Sequence, residues 1–313
     1  MKEYQWYGEA TAQLIRTDYR HEFKRLFSRI DFDYLVDYSG YSPYYNQLLT
    51  SNPNPEAKHI VYMHNDMYSE YVSRHPRLYE IFEQYKQYDK VVSVSKPTSE
   101  LNQHNLQARF EISQSAFDFI DNIQDPSSVL EKSKHAFEKA QDEQLFKQDN
   151  TTFVTMGRLS EEKDHEKLIR AFDKVHQANP KTHLLILGEG PLKAKLTTLI
   201  EELQLKEAVS MLGHKGNPYP YLQQADCFVL PSNYEGQPVV LYEALILQKP
   251  IIATDIVSNR GVLEGGYGAL CDNSVEGLLE TLNQFLTGQL AFKTFDIEKF
   301  NQRAIQMLYE KVL

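Results

Sequence analysis

Short apolar runs rich in β-branched residues alternate with stretches of helical spacing from Thr151 to the end of the chain. Six of the runs predict strands: Thr152–Met156, His183–Leu187, Val209–Leu212, Cys227–Leu230, Ile251–Thr254 and Gly268–Cys271. Two apolar stripes between them predict the buried faces of helices: Leu168, Ile169, Phe172 and Val175, then Leu192, Leu196, Leu199, Ile200 and Leu203. The alternation indicates an α/β fold with a parallel sheet flanked by helices.

The first third of the chain follows the same rule less regularly. Three buried runs there predict a second, smaller α/β unit: Tyr34–Val36, Ile60–Met63 and Val91–Val94. A polar segment from Asp125 to Asn150 follows, and its opening Asp-Pro-Ser-Ser is typical of a helix cap and start. We therefore predict a partial first domain over 1–125 and a second domain over 126–313.

The closing segment, 297–313, has an apolar pattern of helical spacing. Its members are Phe300, Ile305, Leu308 and Val312. We expect this helix to pack back on the first domain.

Composition narrows the class of protein. The 313 residues are 42% hydrophobic and 24% charged, as in globular proteins, and the net charge of −10 argues against nucleic acid as a partner. No window approaches the ~18 apolar residues of a membrane span, and the start lacks a signal pattern, so we expect a cytoplasmic protein. Cys227 and Cys271 lie far apart in apolar runs, which indicates neither a zinc site nor a disulfide.

Two carboxylates eight positions apart carry the most informative chemistry. Glu235 and Glu243 lie in the stretch Pro231–Leu245, which follows a strand and leads into a helix. With a helix start near Pro238, Glu235 lies in the loop and Glu243 more than a turn inside. The carboxyl end of a parallel strand is where open α/β sheets bind ligands, and N–H groups at a helix start can bind a diphosphate by donating hydrogen bonds to it.

This stretch resembles the Glu-x7-Glu motif of the family 4 retaining glycosyltransferases. The resemblance implies a GT-B fold of two Rossmann-like domains. It also implies that Glu235 contacts the donor sugar and that Glu243 holds the ribose hydroxyls, since carboxylates accept hydrogen bonds from hydroxyl groups. Gly236, Gln237 and Val239 are placed by the same motif among the donor-binding residues.

Two cations follow the first strand of the second domain. Gly157-Arg158-Leu-Ser-Glu-Glu-Lys163 resembles the family segment whose Arg and Lys bind the donor diphosphate. Charge grows on the leaving nucleoside diphosphate as the sugar–phosphate bond breaks, and fixed cations stabilise it. Arg158 and Lys163 would take the place of a metal, so we expect no metal and no cofactor apart from the donor. Asp31-Phe-Asp33, an Asp-x-Asp pattern of metal-dependent enzymes, lacks a second acidic cluster and is rejected.

Further matches complete the resemblance. Gly188 and Gly190 form a Gly-x-Gly-Pro turn where a ligand approaches the backbone closely, and His214 follows a turn that borders the nucleotide base. His64 ends a strand where family members carry a histidine facing the reacting sugar. His214 and His64 are equally well interpreted as ordinary polar residues. Asn122-Ile-Gln-Asp125 resembles the family's crossing between domains.

The first domain is expected to be short, because no glycine-rich loop of the family precedes Tyr34. A partner chain or an upstream segment would then complete it. We predict transfer of a hexose from a nucleotide sugar, UDP-glucose or UDP-GlcNAc, to a bacterial surface polymer, glycan or protein. The residues of the motifs resemble those of enzymes that glycosylate teichoic-acid-type polymers. Peripheral membrane association stays open. One alternative is a nucleotide-sugar-binding subunit without activity of its own. Another is a dinucleotide-dependent oxidoreductase, but the Gly-x-Gly-x-x-Gly motif of that class does not open any strand–helix unit of this sequence.

Overall fold

The computed structural model describes residues 9–146 and 149–312, with side chains from Thr17 onward. Residues 1–8 and 313, at the ends of the predicted segments 1–125 and 297–313, lie outside the described residues, as do 147–148. The chain divides into two compact units. The first comprises the chain up to Asn122 and again from Gln302, and the second comprises Ile123–Asn301.

The first unit is built on a parallel sheet of strand order β1-β2-β3-β4. The strands are β1 (Tyr34–Asp37), β2 (Lys58–Met63), β3 (Lys90–Ser93) and β4 (Phe117–Phe119). The helices are α1 (Glu9–Phe27), α2 (Pro43–Thr50), α3 (Met67–Ser73), α4 (Leu78–Phe82) and α5 (Lys96–Leu106). The three predicted strands are confirmed within one or two residues. The fourth, Phe-Asp-Phe, is too short and too polar at its centre to give an apolar run.

The second unit holds a six-stranded parallel sheet of order β10-β9-β8-β5-β6-β7. Its strands are β5 (Thr151–Met156), β6 (Thr182–Leu187), β7 (Val209–Gly213), β8 (Cys227–Leu230), β9 (Ile251–Thr254) and β10 (Ala269–Cys271). Its helices are α6 (Pro126–Lys132), α7 (His165–Ala178), α8 (Lys193–Glu202), α9 (Tyr219–Gln224), α10 (Val239–Ile246), α11 (Val257–Leu263) and α12 (Val275–Leu286). All six predicted strands are present, so the predicted fold class of two parallel, helix-flanked sheets is confirmed.

Apolar side chains on both faces explain why the second sheet forms. One core packs the α7 stripe, Leu168 to Val175, against β5 and β6, and the other packs α10 against the opposite face. A parallel strand buried on both sides reads as a continuous apolar run, which made these strands recognisable from sequence. Asp125 caps α6 through its side chain, as its sequence predicts.

The last helix, α13 (Ile297–Lys311), begins in the second unit and ends in the first. Phe300 packs on Tyr242 in the second unit, while Met307 joins the apolar cluster of the first unit. The predicted apolar pattern is wrong at Ile305, which is 42% exposed. Ala304 and Met307 form the buried face instead.

Across the described part of the chain, no helix combines the length and the apolar character needed to cross a membrane.

Candidate functional site

Two neighbouring strands of the second sheet bring the predicted cation loop and the predicted carboxylate loop together. β5 pairs with β8 in parallel, so their carboxyl ends lie at the same edge of the sheet. The Glu162 carbonyl accepts a 2.8 Å hydrogen bond from the backbone N–H of Asn233. Arg158 and Lys163 therefore lie in a loop that is bonded directly to the loop of Glu235.

An ion pair joins Lys163 and Glu235 across these loops. Lys163 Nζ lies 2.5 Å from Glu235 Oε1, and only 18% and 8% of the two side chains are exposed. The Ser232 hydroxyl donates to the same oxygen at 2.6 Å, and the Ser232 carbonyl accepts a hydrogen bond from Thr254 Oγ1. The Glu235 carboxylate is thus held by two donors, Lys163 and Ser232.

Arg158 lies two residues past the end of β5 and is exposed. The preceding residue, Gly157, is anchored by a 3.0 Å hydrogen bond from its N–H to the Leu187 carbonyl at the end of β6. The backbone that carries Arg158 is therefore fixed to the sheet, while its guanidinium group stays accessible.

Glu243 lies five residues into α10 and is partly buried. Tyr219, the first residue of α9, donates its hydroxyl to Glu243 Oε1 at 2.9 Å. Burial raises the pKa of Glu243, although the hydrogen bond from Tyr219 lowers it in part. Burial, followed by the nearby Glu243 charge, raises the pKa of Tyr219 to about 12, so the phenol remains a donor at neutral pH.

The start of α10 has the predicted boundary. Pro238 is the cap residue, and it supplies no side-chain hydrogen bond to the helix N–H groups. The Val239 N–H is bonded to the Gln237 carbonyl at 2.8 Å, and the Val239 side chain is 48% exposed. Gly236 and Gln237 form the turn between Glu235 and the helix. Among the N–H groups expected to donate to a diphosphate, that of Val239 therefore already has an acceptor in the Gln237 carbonyl.

The glycine turn after β6 packs backbone to backbone against the loop after β5. Gly188 has φ +147°, and a Cβ atom added there would lie 1.8 Å from the Gly157 carbonyl oxygen. A Cβ on Gly190 would lie 2.4 Å from the Leu159 carbonyl oxygen. Only glycine permits these two loops to approach so closely.

His214 is exposed and follows Gly213, whose carbonyl accepts a 2.8 Å hydrogen bond from the Gly188 N–H. The loops after β5, β6 and β7 thus form one hydrogen-bonded edge, and His214 extends from its β7 end.

His64 belongs to the first unit and directly follows β2. Its Nε2 lies 2.6 Å from the Tyr38 carbonyl, and its ring packs edge-on against the Tyr38 ring. A neutral ring that donates from Nε2 carries its lone pair on Nδ1. The backbone of Tyr38 therefore orients the imidazole.

Several residues of the candidate site in the second unit are absent from the set that the sequence predicts. Asp164, Lys167 and Asn233 form a polar cluster beside the Lys163–Glu235 pair, and Tyr219 bonds Glu243. Asn233 precedes Glu235 by two residues inside the recognised motif, and its nearness to Glu235 in the sequence was the signal that could have identified it. No sequence signal identifies Lys167, because a lysine on an amphipathic helix is normally exposed.

Metal ligands do not assemble in the described ranges, where no three or more His, Cys, Asp or Glu side chains lie together in a group that could hold a metal ion. Asp31 and Asp33 are both exposed. Arg260 forms an exposed ion pair with Asp255 at 2.8 Å.

Comparison with known proteins assigns the chain to a family. Residues 136–306 match the family described as glycosyl transferases group 1. An uncharacterized glycosyltransferase of Methanocaldococcus jannaschii is 34% identical over 171 residues, which are 55% of this chain and 42% of that protein. An N-acetylgalactosamine-N,N'-diacetylbacillosaminyl-diphospho-undecaprenol 4-alpha-N-acetylgalactosaminyltransferase of Campylobacter jejuni is 33% identical over 169 residues, 54% of this chain and 43% of that protein. The matches thus span less than half the length of either relative.

A solved structure extends the likeness in fold to both units. Anabaena HepE, determined in complex with UDP and glucose, has a TM-score of 0.68 over 98% of this chain and 84% of its own, at 17% sequence identity. The family match covers more than half of the chain and includes Arg158, Lys163, Glu235 and Glu243. The chain belongs to the group 1 glycosyltransferases.

Proposed function

We propose that this chain transfers a hexose from a UDP-linked sugar to an acceptor, with retention of configuration and without a metal ion. The observation that carries the proposal is the Lys163–Glu235 pair at the carboxyl edge of the second sheet, inside the residues that match the family. An ammonium group for a diphosphate and a carboxylate for sugar hydroxyls lie side by side, which is what a diphosphate sugar requires.

Donor binding divides among the residues of the second unit. Glu243 would accept the ribose hydroxyls through the carboxylate that Tyr219 orients. Arg158 and Lys163 would hold the diphosphate, and Glu235 would hold the hexose. Gly188 and Gly190 let the loop after β6 pack closely on the loop that carries Arg158, and this packing would fix the backbone beside the pyrophosphate.

The chemistry needs charge stabilisation more than it needs a strong base. As the bond between the anomeric carbon and the phosphate oxygen breaks, negative charge develops on the departing UDP. The loop that carries Arg158 and Lys163 is fixed at the edge where that charge appears, so both cations would lie within reach of the charge that they stabilise. The acceptor oxygen then bonds to the anomeric carbon on the face that UDP leaves, and its proton passes to the departing phosphate oxygen.

The acceptor is proposed to be a bacterial surface polymer, a glycan or a protein. The name of the Campylobacter relative supports a glycan acceptor on a lipid diphosphate carrier. His64 would act on the acceptor side of the reaction, through the Nδ1 lone pair that the Tyr38 carbonyl leaves available.

Ligand screening tests the proposal most simply. A ligand at 100 times its Kd adds about 2.7 kcal/mol to stability, so at equal concentration the ligand that binds most tightly raises the melting temperature most. We therefore expect UDP to raise the melting temperature of the chain more than GDP, ADP or NAD. Stabilisation by NAD alone would instead indicate an oxidoreductase. Release of UDP from UDP-glucose or UDP-GlcNAc distinguishes the enzyme from a binding subunit, which would bind the donor without turning it over.

A further inference from the structure

A lysine is buried on the helix that follows the cation loop. Lys167 lies in the first turn of α7, and only 7% of its side chain is exposed. Three oxygens surround its ammonium group. Asn233 Oδ1 lies at 2.7 Å, Asp164 Oδ2 lies at 3.4 Å, and Asn273 Oδ1 is also in hydrogen-bond contact. These oxygens belong to the loops after β5, β8 and β10, so one side chain joins three loops at the edge of the sheet.

Asn233 is held by hydrogen bonds at both side-chain polar atoms and at its backbone N–H. Its side-chain oxygen accepts from Lys167, its side-chain nitrogen donates to Asp164 Oδ2 at 2.9 Å, and its backbone N–H donates to the Glu162 carbonyl at 2.8 Å. Asn233 precedes Glu235 by two residues. The cluster therefore sets the path of the segment that carries the Glu235 carboxylate.

Asp164 adds strain to the same cluster. Its backbone adopts the left-handed region at φ 42°, where non-glycine residues are uncommon, and its side chain caps α7 by accepting from the Lys167 N–H at 3.2 Å. Asp164 also directly follows Lys163. The cluster thus constrains the backbone next to both members of the Lys163–Glu235 pair.

Burying an ammonium group is costly compared with an apolar side chain of the same length. Burial lowers the pKa of Lys167, while Asp164 opposes that change. Lys174, on the same helix, is exposed and makes only a 3.9 Å ion pair with Glu276. A charged group kept at the costly position, bonded to the motif loop, indicates a role in the site more than in the helix.

We propose that Lys167, acting through Asn233, is a positioning residue that holds Glu235 where it contacts the donor hexose. The inference rests on the proposed donor-binding function. Because Lys167 acts on the segment of Glu235, its loss should weaken recognition of the sugar more than recognition of the nucleotide.

The test compares Lys167→Met, which keeps the length of the side chain, with Lys174→Met as the matched control. Isothermal titration gives the Kd of UDP and the Kd of UDP-glucose or UDP-GlcNAc, whichever the unaltered protein binds more tightly. For Lys167→Met we expect the Kd of the UDP-sugar to rise roughly tenfold, the size of a lost charged hydrogen bond, while the Kd of UDP changes about twofold or less. Lys174→Met should leave both values unchanged.

Asn233→Ala provides a second approach from an exposed loop residue, should Lys167→Met fail to fold. It should raise the Kd of the UDP-sugar selectively, and the double variant should show no further loss, since both changes break one link. Equal weakening of UDP and UDP-sugar, or no weakening, would overturn the positioning role. An unaltered protein that binds neither ligand would overturn the proposed function itself.

Discussion

Lys163 Nζ lies 2.5 Å from Glu235 Oε1, although 72 positions separate the two residues in the chain. The contact arises because β5 and β8 are neighbours in the sheet and because Asn233 bonds the Glu162 carbonyl. In this contact each charge neutralises the other. A donor diphosphate would draw Lys163 toward its oxygens and leave Glu235 free to accept from the hexose.

Removing either cation should slow turnover while the fold is kept. We expect Lys163→Ala and Arg158→Ala each to lower kcat by about 10²–10³, the range measured when one preorganised donor to a developing charge is lost. Initial-rate kinetics on UDP-sugar turnover provide the measurement. Arg170→Ala, which removes an exposed cation paired with Glu166, serves as the control and should change kcat by about twofold or less. An Arg158→Ala protein with unchanged turnover would remove that residue from the mechanism.

Nucleotide affinity should depend on Glu243 and, to a smaller extent, on Tyr219. Glu243→Ala removes the proposed ribose acceptor and should raise the Kd of UDP roughly 10- to 100-fold, whereas Tyr219→Phe removes only the orienting hydroxyl and should raise it about fivefold. Titration calorimetry measures both constants. The control ligand is 2'-deoxy-UDP, which lacks the ribose 2'-hydroxyl. If Glu243→Ala weakens binding of 2'-deoxy-UDP as much as binding of UDP, the Glu243 carboxylate does not bind the 2'-hydroxyl.

The glycine turn gives a matched pair of stability variants. Gly188→Ala places a Cβ 1.8 Å from the Gly157 carbonyl oxygen and should destabilise the protein by about 3 kcal/mol or more, because backbone on both sides must move. Gly288→Ala also has a positive φ, +68°, but meets nothing within 4 Å, so only the backbone strain of roughly 1–2 kcal/mol remains. Urea unfolding compares the two. Similar losses would mean that the loops do not pack as described.

Acid should destabilise the protein partly through His165. Burial, followed by the nearby Lys163 cation, lowers the pKa of this histidine from 6.5 to about 4. As the pH falls, His165 is protonated near pH 6.5 in the unfolded chain but only near pH 4 in the folded protein. The contribution of the neutral histidine to stability is therefore complete above pH 6.5 and is lost as the pH falls toward 4. The full loss is about 3 kcal/mol.

His165→Gln removes the titrating group. Urea unfolding at a series of pH values should show a smaller fall in the free energy of unfolding between pH 7 and 4 than in the unaltered protein. Parallel curves for the two proteins would show that His165 does not stay neutral in the folded state.

Much of the second unit follows from the sequence, for a physical reason. Strands buried on both faces must be apolar throughout, so Cys227–Leu230 and Ile251–Thr254 were predicted to the residue. The positions of the Glu235 loop and of the start of α10 could be predicted because proline and glycine residues end the strand and precede the helix. In the first unit the same reasoning missed β4, because a three-residue strand with aspartate at its centre leaves no period to detect.

The polar contacts of the site could not be predicted from the sequence. Lys163 and Lys167 are the same residue type four positions apart, and only the folded structure shows that one pairs with Glu235 and the other with Asn233. Ile305 illustrates the converse for α13, where an apolar side chain points to solvent. Residue type gives the chemistry available, whereas burial and partner depend on strand neighbours far away in the chain.

The most direct test is a crystal structure of the protein with the UDP-sugar bound. We expect the diphosphate oxygens to lie within about 3 Å of Arg158 and Lys163, the ribose hydroxyls to contact Glu243 and the hexose to contact Glu235. A UDP-sugar bound away from the carboxyl edge of the second sheet, with the Lys163–Glu235 pair untouched, would contradict it.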